Sequence, residues 1–337
     1  MRQLTLWFIV ISCICAGCGL AGAASTAPLR LVQVIPMPSG FMHFDHFGVD
    51  AKGGRLFATF EDHNSVEVFD LKSGKHTKSI AGFEVPHNVL YLPDRNELVV
   101  TDGAGTFNIL RGDTLETLHT VKLARNADFV AYDPRTQFFY VTNGGHAADM
   151  TFAFVSIIDT TGKHVGDIRI EGAHIEFLTA EKAGSRLFLN VADKHKVAVI
   201  DRNNRSVVAL WPLPDAEDNL PLTVDEPHNR LFTVSRKPAE LFVLDARSGK
   251  VITSLPCVGN SDDMAYDPKT QRVYVSGGDG FVSVFQQQDA DHYTVRGNVA
   301  TGPGGNTSVF VPELNRLYVG VRRGKTGSEL QIFDVVP

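Results

Sequence analysis

A repeat of seven related segments runs through residues 47–323 and constrains the fold more than any other feature of this 337-residue sequence. Each segment has an apolar run, a polar turn and a second apolar run, as in VAYDPRTQFFYVTNG at 130–144 and MAYDPKTQRVYVSGG at 264–278. The anchor positions of the second runs lie 41 to 48 residues apart, at Leu56, Leu98, Phe139, Leu187, Leu231, Val273 and Leu317. Because a period of about 40–45 residues with several short strands per copy is typical of propeller blades, we predict an all-β, seven-bladed β-propeller.

The two ends of the repeat predict how the ring closes. The seventh copy ends at Phe333-Asp334 without room for a fourth strand, whereas LRLVQVI at 29–35 is a spare strand before the first copy. We therefore predict that the N-terminal strand completes blade seven, because closure removes exposed sheet edges. Residues 24–337 then form a single propeller domain.

The first 23 residues have the pattern of a secretory signal peptide. Arg2 precedes an apolar stretch at 4–15, and small residues follow at Ala21-Gly22-Ala23. This order predicts cleavage after Ala23 and a periplasmic or secreted protein. The apolar stretch is shorter than the ~20 residues that span a bilayer, so we predict no membrane span.

The cysteines leave a second interpretation of the N-terminus open. Cys13 and Cys18 each follow a segment that resembles a lipobox imperfectly, so a lipid anchor at either residue is the alternative to soluble export. Only Cys257 lies outside the segment at 1–23, and no internal disulfide is therefore expected.

Four consecutive residues place the chain beside a known group of propellers. Tyr140-Val141-Thr142-Asn143 spells YVTN, and Tyr274-Val275-Ser276-Gly277 is a near match. In these motifs, and in its V-x-V-x-D strands, the sequence resembles the YVTN-repeat family of exported bacterial seven-bladed propellers. The resemblance implies the fold and the export, and it identifies no chemistry.

Acidic and histidine side chains recur just before the predicted inner strands. Counting back ten to thirteen residues from the anchors gives eight candidates for a metal site at the channel mouth: Asp45, His46, His87, Asp128, His174, Glu176, Asp262 and Asp263. Imidazole and carboxylate together suit a divalent transition metal. The alternative is that these polar residues line a hydrated channel. Whether a cofactor is bound, and which metal it would be, stays open at this point.

A second group of polar residues occupies the loops between the second and third strands. The candidates for a ligand rim are Arg236, Lys237, Arg322, Arg323 and His146. A cationic rim above a histidine and carboxylate floor predicts a small anionic ligand, because arginine binds such groups through two hydrogen bonds. Ordinary solvated loop charge is the alternative interpretation.

Two functions remain after composition and motifs are considered. The net charge of −6 argues against nucleic-acid binding, and no G-x-S-x-G nucleophile motif is present. We predict a monomeric ligand- or protein-binding module that acts at the channel-mouth face. The alternative is a metal-dependent hydrolase with lactonase-like chemistry and its site at the same face. Whether the chain is an enzyme stays open.

Overall fold

The computed structural model describes residues 27–38, 40–324 and 327–337. Within these residues the chain forms seven four-stranded antiparallel sheets arranged as a β-propeller, which confirms the predicted fold class. The predicted signal peptide at 1–23, with Cys13 and Cys18, lies outside the described residues.

Each of the first four blades is formed by four consecutive strands. Blade one contains β2 (Phe44–Asp50), β3 (Arg55–Phe60), β4 (Ser65–Asp70) and β5 (His76–Ala81). Blade two contains β6 (Pro86–Leu92), β7 (Glu97–Asp102), β8 (Thr106–Arg111) and β9 (Thr117–Lys122). Blade three contains β10 (Val130–Asp133), β11 (Phe138–Gly144), β12 (Ala153–Asp159) and β13 (His164–Ile170). Blade four contains β14 (Ile175–Ala180), β15 (Arg186–Val191), β16 (Lys196–Asp201) and β17 (Ser206–Pro212).

Blades five and six follow the same order, and blade seven takes one strand from the start of the chain. Blade five contains β18 (Glu217–Asp225), β19 (Arg230–Lys237), β20 (Ala239–Asp245) and β21 (Val251–Pro256). Blade six contains β22 (Ser261–Asp267), β23 (Arg272–Gly277), β24 (Phe281–Gln287) and β25 (Tyr293–Ala300). Blade seven contains β26 (Thr307–Val311), β27 (Arg316–Arg322), β28 (Ser328–Val335) and β1 (Leu29–Pro36).

Helical structure is limited to short turns in the described part of the chain. Three 3₁₀ helices connect second and third strands, at Glu61–His63, His146–Ala148 and Ala192–Lys194. No helix among the described residues is long and apolar enough to cross a membrane.

The seven anchor residues identified from the repeat all lie in second strands and are fully buried. They belong to apolar clusters that form between neighbouring blades, such as the cluster that joins Val155 of blade three to Leu187 and Leu189 of blade four. The core is therefore distributed around the ring, between the faces of neighbouring blades. Burying one such side chain contributes about 1.5–3 kcal/mol to the free energy of unfolding.

Ring closure occurs as the sequence predicts. β1 pairs antiparallel with β28, with Leu29 opposite Val335 and Pro36 opposite Glu329. Leu29 is buried in the cluster between blades six and seven. Because β1 comes from the start of the chain and β28 from its end, this pairing holds the ring together.

Irregularities in the first strands determine where site residues can stand. The strand register shifts between Phe44 and Phe47 in β2, between Pro86 and Val89 in β6, and between Ile175 and Leu178 in β14. β18 and β22 have comparable shifts. Such bulges turn side chains away from the regular alternation, and they commonly occur beside functional sites.

Buried threonines of the second strands stabilise the bulged segments of the first two blades. The backbone N–H of His46 donates to Thr59 Oγ1, and that of Asn88 donates to Thr101 Oγ1. Thr59 Oγ1 in turn donates to the carbonyl of His87, at 2.8 Å. The same hydroxyl therefore satisfies a backbone group freed by the bulge and connects blade one to blade two.

Candidate functional site

The first strands of the blades begin at one face of the ring, where a cavity of about 500 Å³ opens. We call it the mouth cavity. It is lined by Asp45, His46, Glu61, His87, Asn126, Asp128, Gly144, His146, Ala147, Ala173, His174, Ile175, Glu176, Arg236 and Asp262. Its volume falls in the range of about 300–1,000 Å³ that is usual for small-molecule sites.

Three side chains from blades one and two converge on one wall of the mouth cavity. His87 Nδ1 lies 3.0 Å from Asp45 Oδ2 and 3.2 Å from Glu61 Oε1. Asp45 belongs to β2 and His87 to β6, whereas Glu61 begins the 3₁₀ helix after β3. One potential ligand atom from each of the three lies within 4.8 Å of the others. An imidazole and two carboxylates at this separation can bind a divalent transition metal.

A second group of three shares Asp45 with the first. Potential ligand atoms of Asp45, His46 and Asp128 also lie within 4.8 Å of one another. The backbone carbonyl of Asp128 accepts a hydrogen bond from Thr101 Oγ1, which fixes its position against blade two. We call the combined set, Asp45, His46, Glu61, His87 and Asp128, the acid–histidine cluster.

The charges of the acid–histidine cluster are strongly coupled. Burial opposes the imidazolium of His87, but Asp128 and hydrogen bonds to Asp45 and Glu61 outweigh it and raise the pKa to about 11. Burial raises the pKa of Asp128 to about 7; His87 opposes this rise, whereas Glu176 and Asp45 add to it. The imidazolium of His87 therefore balances part of the carboxylate charge on this wall, and a metal ion bound by His87 would replace its proton.

His46 forms the floor of the mouth cavity. It also lines a lower cavity of about 300 Å³ inside the channel. Its ring stands edge-on to Phe129 and Phe177, with centroids 5.7 and 5.1 Å away, and its Nδ1 lies 3.3 Å from Asp263 Oδ1. Burial opposes its positive charge, but Asp45 and Asp263 outweigh burial and raise its pKa well above the ordinary value. His46 therefore separates the polar mouth from the more apolar channel below it.

Blades four to six provide the opposite wall. His174 Nε2 lies 2.8 Å from Glu176 Oε1, and this hydrogen bond raises the pKa of His174. Arg236 Nη2 donates to Asp262 Oδ1 at 3.1 Å, and Arg236 Nε donates to the carbonyl of Ser261 at 3.0 Å. Burial raises the pKa of Asp262 well above its ordinary value, with Glu176 adding to the rise. Each cationic group on this wall thus has a carboxyl group as its partner.

Most of the residues predicted as a metal site meet at the mouth cavity. Seven of the eight line it: Asp45, His46, His87, Asp128, His174, Glu176 and Asp262. Asp263 instead lines the lower cavity, where its Oδ2 accepts a hydrogen bond from the backbone N–H of Ser308 at 2.8 Å. The register of β22 shifts between Ser261 and Asp263, and this bulge separates the directions of Asp262 and Asp263.

Of the predicted rim, Arg236 and His146 line the mouth cavity. Lys237 is exposed and is not part of the lining. His146 begins the 3₁₀ helix of the long connection in blade three.

The two arginines predicted from blade seven lie against other side chains. Arg322 Nη2 is 2.6 Å from His43 Nδ1, and Arg323 Nη2 is 2.5 Å from Glu329 Oε2. Neither arginine lines the mouth cavity. Arg322 contacts blade one, and Arg323 contacts its own blade.

Glu61 is not among the eight residues that the repeat predicted as metal ligands. The candidates were counted back from the anchors to the first strands, whereas Glu61 follows the anchor Leu56 in the connection to β4. The available signal is the EDH segment directly after β3, because these connections share a face with the starts of the first strands.

Comparisons with known proteins agree with the architecture. No family model matches the chain. THO complex subunit 3 of Arabidopsis thaliana is 22% identical over 240 residues, which cover 68% of this chain and 70% of that protein. A chain of hydrazine synthase from Kuenenia stuttgartiensis superposes with a TM-score of 0.75 at 15% identity, covering 88% of this chain and 96% of the other.

A chain from a crystal structure of the mitotic checkpoint complex is also similar. It superposes with a TM-score of 0.76 at 12% identity and covers 100% of this chain and 99% of its own length. Identities this low show the shared fold alone. The seven-bladed propeller is thereby confirmed, whereas membership of the YVTN-repeat family stays a prediction.

Proposed function

We propose that this chain is an exported propeller that binds a small ligand at its channel mouth through a divalent metal ion held by Asp45, Glu61 and His87. The observation that supports it best is the convergence of these three side chains on one wall of the mouth cavity. A metal with three protein ligands keeps a coordination position for water or a ligand on its cavity side.

The donor set favours a transition metal over calcium. Calcium takes six to eight oxygen ligands, whereas imidazole nitrogen suits zinc, iron, copper or nickel, and carboxylates also suit manganese. The side chains of Asp45 and His87 are only 15% and 12% exposed, so water screens their charges weakly. Asp128 and His46 stand beside these ligands and can orient them or complete the coordination.

Export is part of the proposal. It is supported by the signal-peptide pattern of residues 1–23, which predicts a periplasmic or secreted protein with a lipid anchor as the alternative. A protein partner at the same face is compatible with the fold, because propellers commonly serve as protein-binding modules. Two of the similar proteins are named as parts of complexes.

A metal-dependent hydrolase is the second candidate function. The observation that favours it is the open cavity beside the three converging side chains, which has room for a substrate and a metal-bound water. A divalent metal held by Asp45, Glu61 and His87 would lower the pKa of a bound water and so supply a nucleophile for an ester or lactone. Metal-dependent cleavage of a small ester or lactone that is lost in His87→Ala would favour this function over binding alone.

The proposal is tested by titrating Co²⁺ into the untagged, chelator-treated protein and following its visible absorption. We expect one equivalent to bind. Asp45→Asn and His87→Ala should each weaken binding by about 100-fold or more, because even outer residues of metal sites contribute 10- to 100-fold. His146→Ala is the matched control, because His146 lines the same cavity outside the acid–histidine cluster.

Thermal unfolding of each variant shows that a loss of metal is not a loss of fold. The proposal fails if the wild-type protein binds no Co²⁺. It also fails if His146→Ala weakens binding as much as His87→Ala does.

A further inference from the structure

The wall opposite the acid–histidine cluster carries two cationic groups, each held by one carboxyl group and each retaining a second polar nitrogen. Arg236 uses Nε and Nη2 for the carbonyl of Ser261 and the carboxyl of Asp262. His174 uses Nε2 for Glu176. Within the described residues, neither Arg236 Nη1 nor His174 Nδ1 has a hydrogen-bond partner. Both side chains line the mouth cavity and are 28% and 37% exposed.

We propose that Arg236 and His174 form an anion subsite that binds one carboxylate of a small organic acid, while a second oxygen group of the same molecule reaches the metal. The proposal rests on the metal site described above. It names the ligand class of that site as a short carboxylic acid with a second carboxylate or hydroxyl group.

The donor chemistry supports a carboxylate. Charge-assisted hydrogen bonds from guanidinium and imidazolium groups to carboxylates are roughly twice as strong as neutral ones. The carboxyl group of Asp262 and the backbone of Ser261 already hold the Arg236 guanidinium, so less side-chain freedom is lost when a ligand binds. The subsite is therefore arranged before the ligand arrives.

The surrounding acids limit the charge that the subsite can accept. Glu176 and Asp262 stay next to the two donors, and Asp262 also accepts a hydrogen bond from Asn306 Nδ2 at 3.1 Å. Burial opposes ionisation of Glu176, but His174 outweighs it and lowers the pKa of Glu176, so this carboxylate would repel a doubly charged phosphate more than a singly charged carboxylate. The proposal therefore requires a bound metal that offsets the charge of the acid–histidine cluster before an anion binds at the mouth.

The test uses the Co²⁺-loaded protein, with succinate as the probe and neutral succinamide as its matched control. Succinate should perturb the Co²⁺ absorption and saturate, whereas succinamide should bind much more weakly. Arg236→Gln should weaken succinate binding by about tenfold or more, because it removes a charged donor. Arg236→Lys should weaken it less, because lysine keeps the charge but lacks the planar fork. Lys237→Gln, which alters an adjacent exposed cation outside the cavity, should bind succinate as the wild-type protein does.

The Co²⁺ affinity of every variant is measured before succinate is added, so that loss of metal is distinguished from loss of the anion. No Co²⁺ binding by the wild-type protein would overturn the metal site and this subsite together. Co²⁺ binding with no response to succinate, or with an equal response in Arg236→Gln, would overturn the subsite alone.

Discussion

Replacing Arg202 with methionine should destabilise the propeller strongly, because this residue neutralises a buried carboxylate between two blades. Arg202 Nη1 lies 2.5 Å from Asp133 Oδ2, and both side chains are 2% exposed. Asp133 ends β10 of blade three, and Arg202 follows β16 of blade four, where Arg202 Nη2 also donates to the carbonyl of Glu181 at 2.9 Å. Breaking a buried ion pair by removing one partner costs about 3–5 kcal/mol.

Urea unfolding followed by circular dichroism measures this cost. With a slope of about 3 kcal/mol per molar urea, the midpoint should fall by roughly 1–1.7 M. The double variant Arg202→Met/Asp133→Asn should recover part of the loss, because it removes the uncompensated charge. A loss below about 1 kcal/mol in Arg202→Met, or a double variant that loses the full sum of both single variants, would refute the reasoning.

Three further predictions concern ring closure, pH and thiol reactivity. Leu29→Ala should lower the free energy of unfolding by about 2–5 kcal/mol, whereas Leu31→Ala, at a 46% exposed position of β1, should change it by about 0.5 kcal/mol or less. Burial opposes ionisation of Asp334, but Arg30 and Arg316 outweigh burial and lower the pKa of Asp334. At pH 6, Asp334→Asn should therefore lower the free energy of unfolding by up to about 1 kcal/mol. This difference should disappear as the pH falls below about 4, where Asp334 becomes protonated. Burial raises the pKa of Cys257 to about 12, so a disulfide reagent at pH 8 should modify it more than about 100-fold slower in the folded than in the unfolded protein.

Each of these predictions has a clear opposing result. Equal losses from the two leucine variants would show that β1 does not bury Leu29 between blades six and seven. An Asp334→Asn effect that persists unchanged at pH 3 would contradict the lowered pKa. Rapid modification of Cys257 in the folded protein would show that its thiol is accessible and readily ionised.

The repeat allowed the fold to be predicted because blade formation depends on local pattern. Leu56, Phe139 and Val273 occupy equivalent second-strand positions, and each needs an apolar neighbour on the next blade. The spare strand at 29–35 completed the count of strands, so ring closure followed from the same argument.

The repeat predicts the site residues that lie in or just before first strands and does not determine those that lie in the connections between strands. Asp45 and His87 lie in first strands, whose positions follow from the repeat. Glu61, by contrast, reaches the site from a connection whose conformation the repeat does not determine. Arg322 is the last residue of β27, and its long side chain contacts His43 of blade one, a neighbour that only the closed ring brings close.

Anomalous X-ray diffraction from crystals of the metal-loaded protein would test the central claim most directly. We expect a single strong peak in the mouth cavity, within about 2.3 Å of His87 Nδ1 and of a carboxylate oxygen of Asp45. The peak should be lost in crystals of His87→Ala grown with the same metal. A mouth cavity without an anomalous peak, or a metal bound only at other histidines on the surface, would contradict the account.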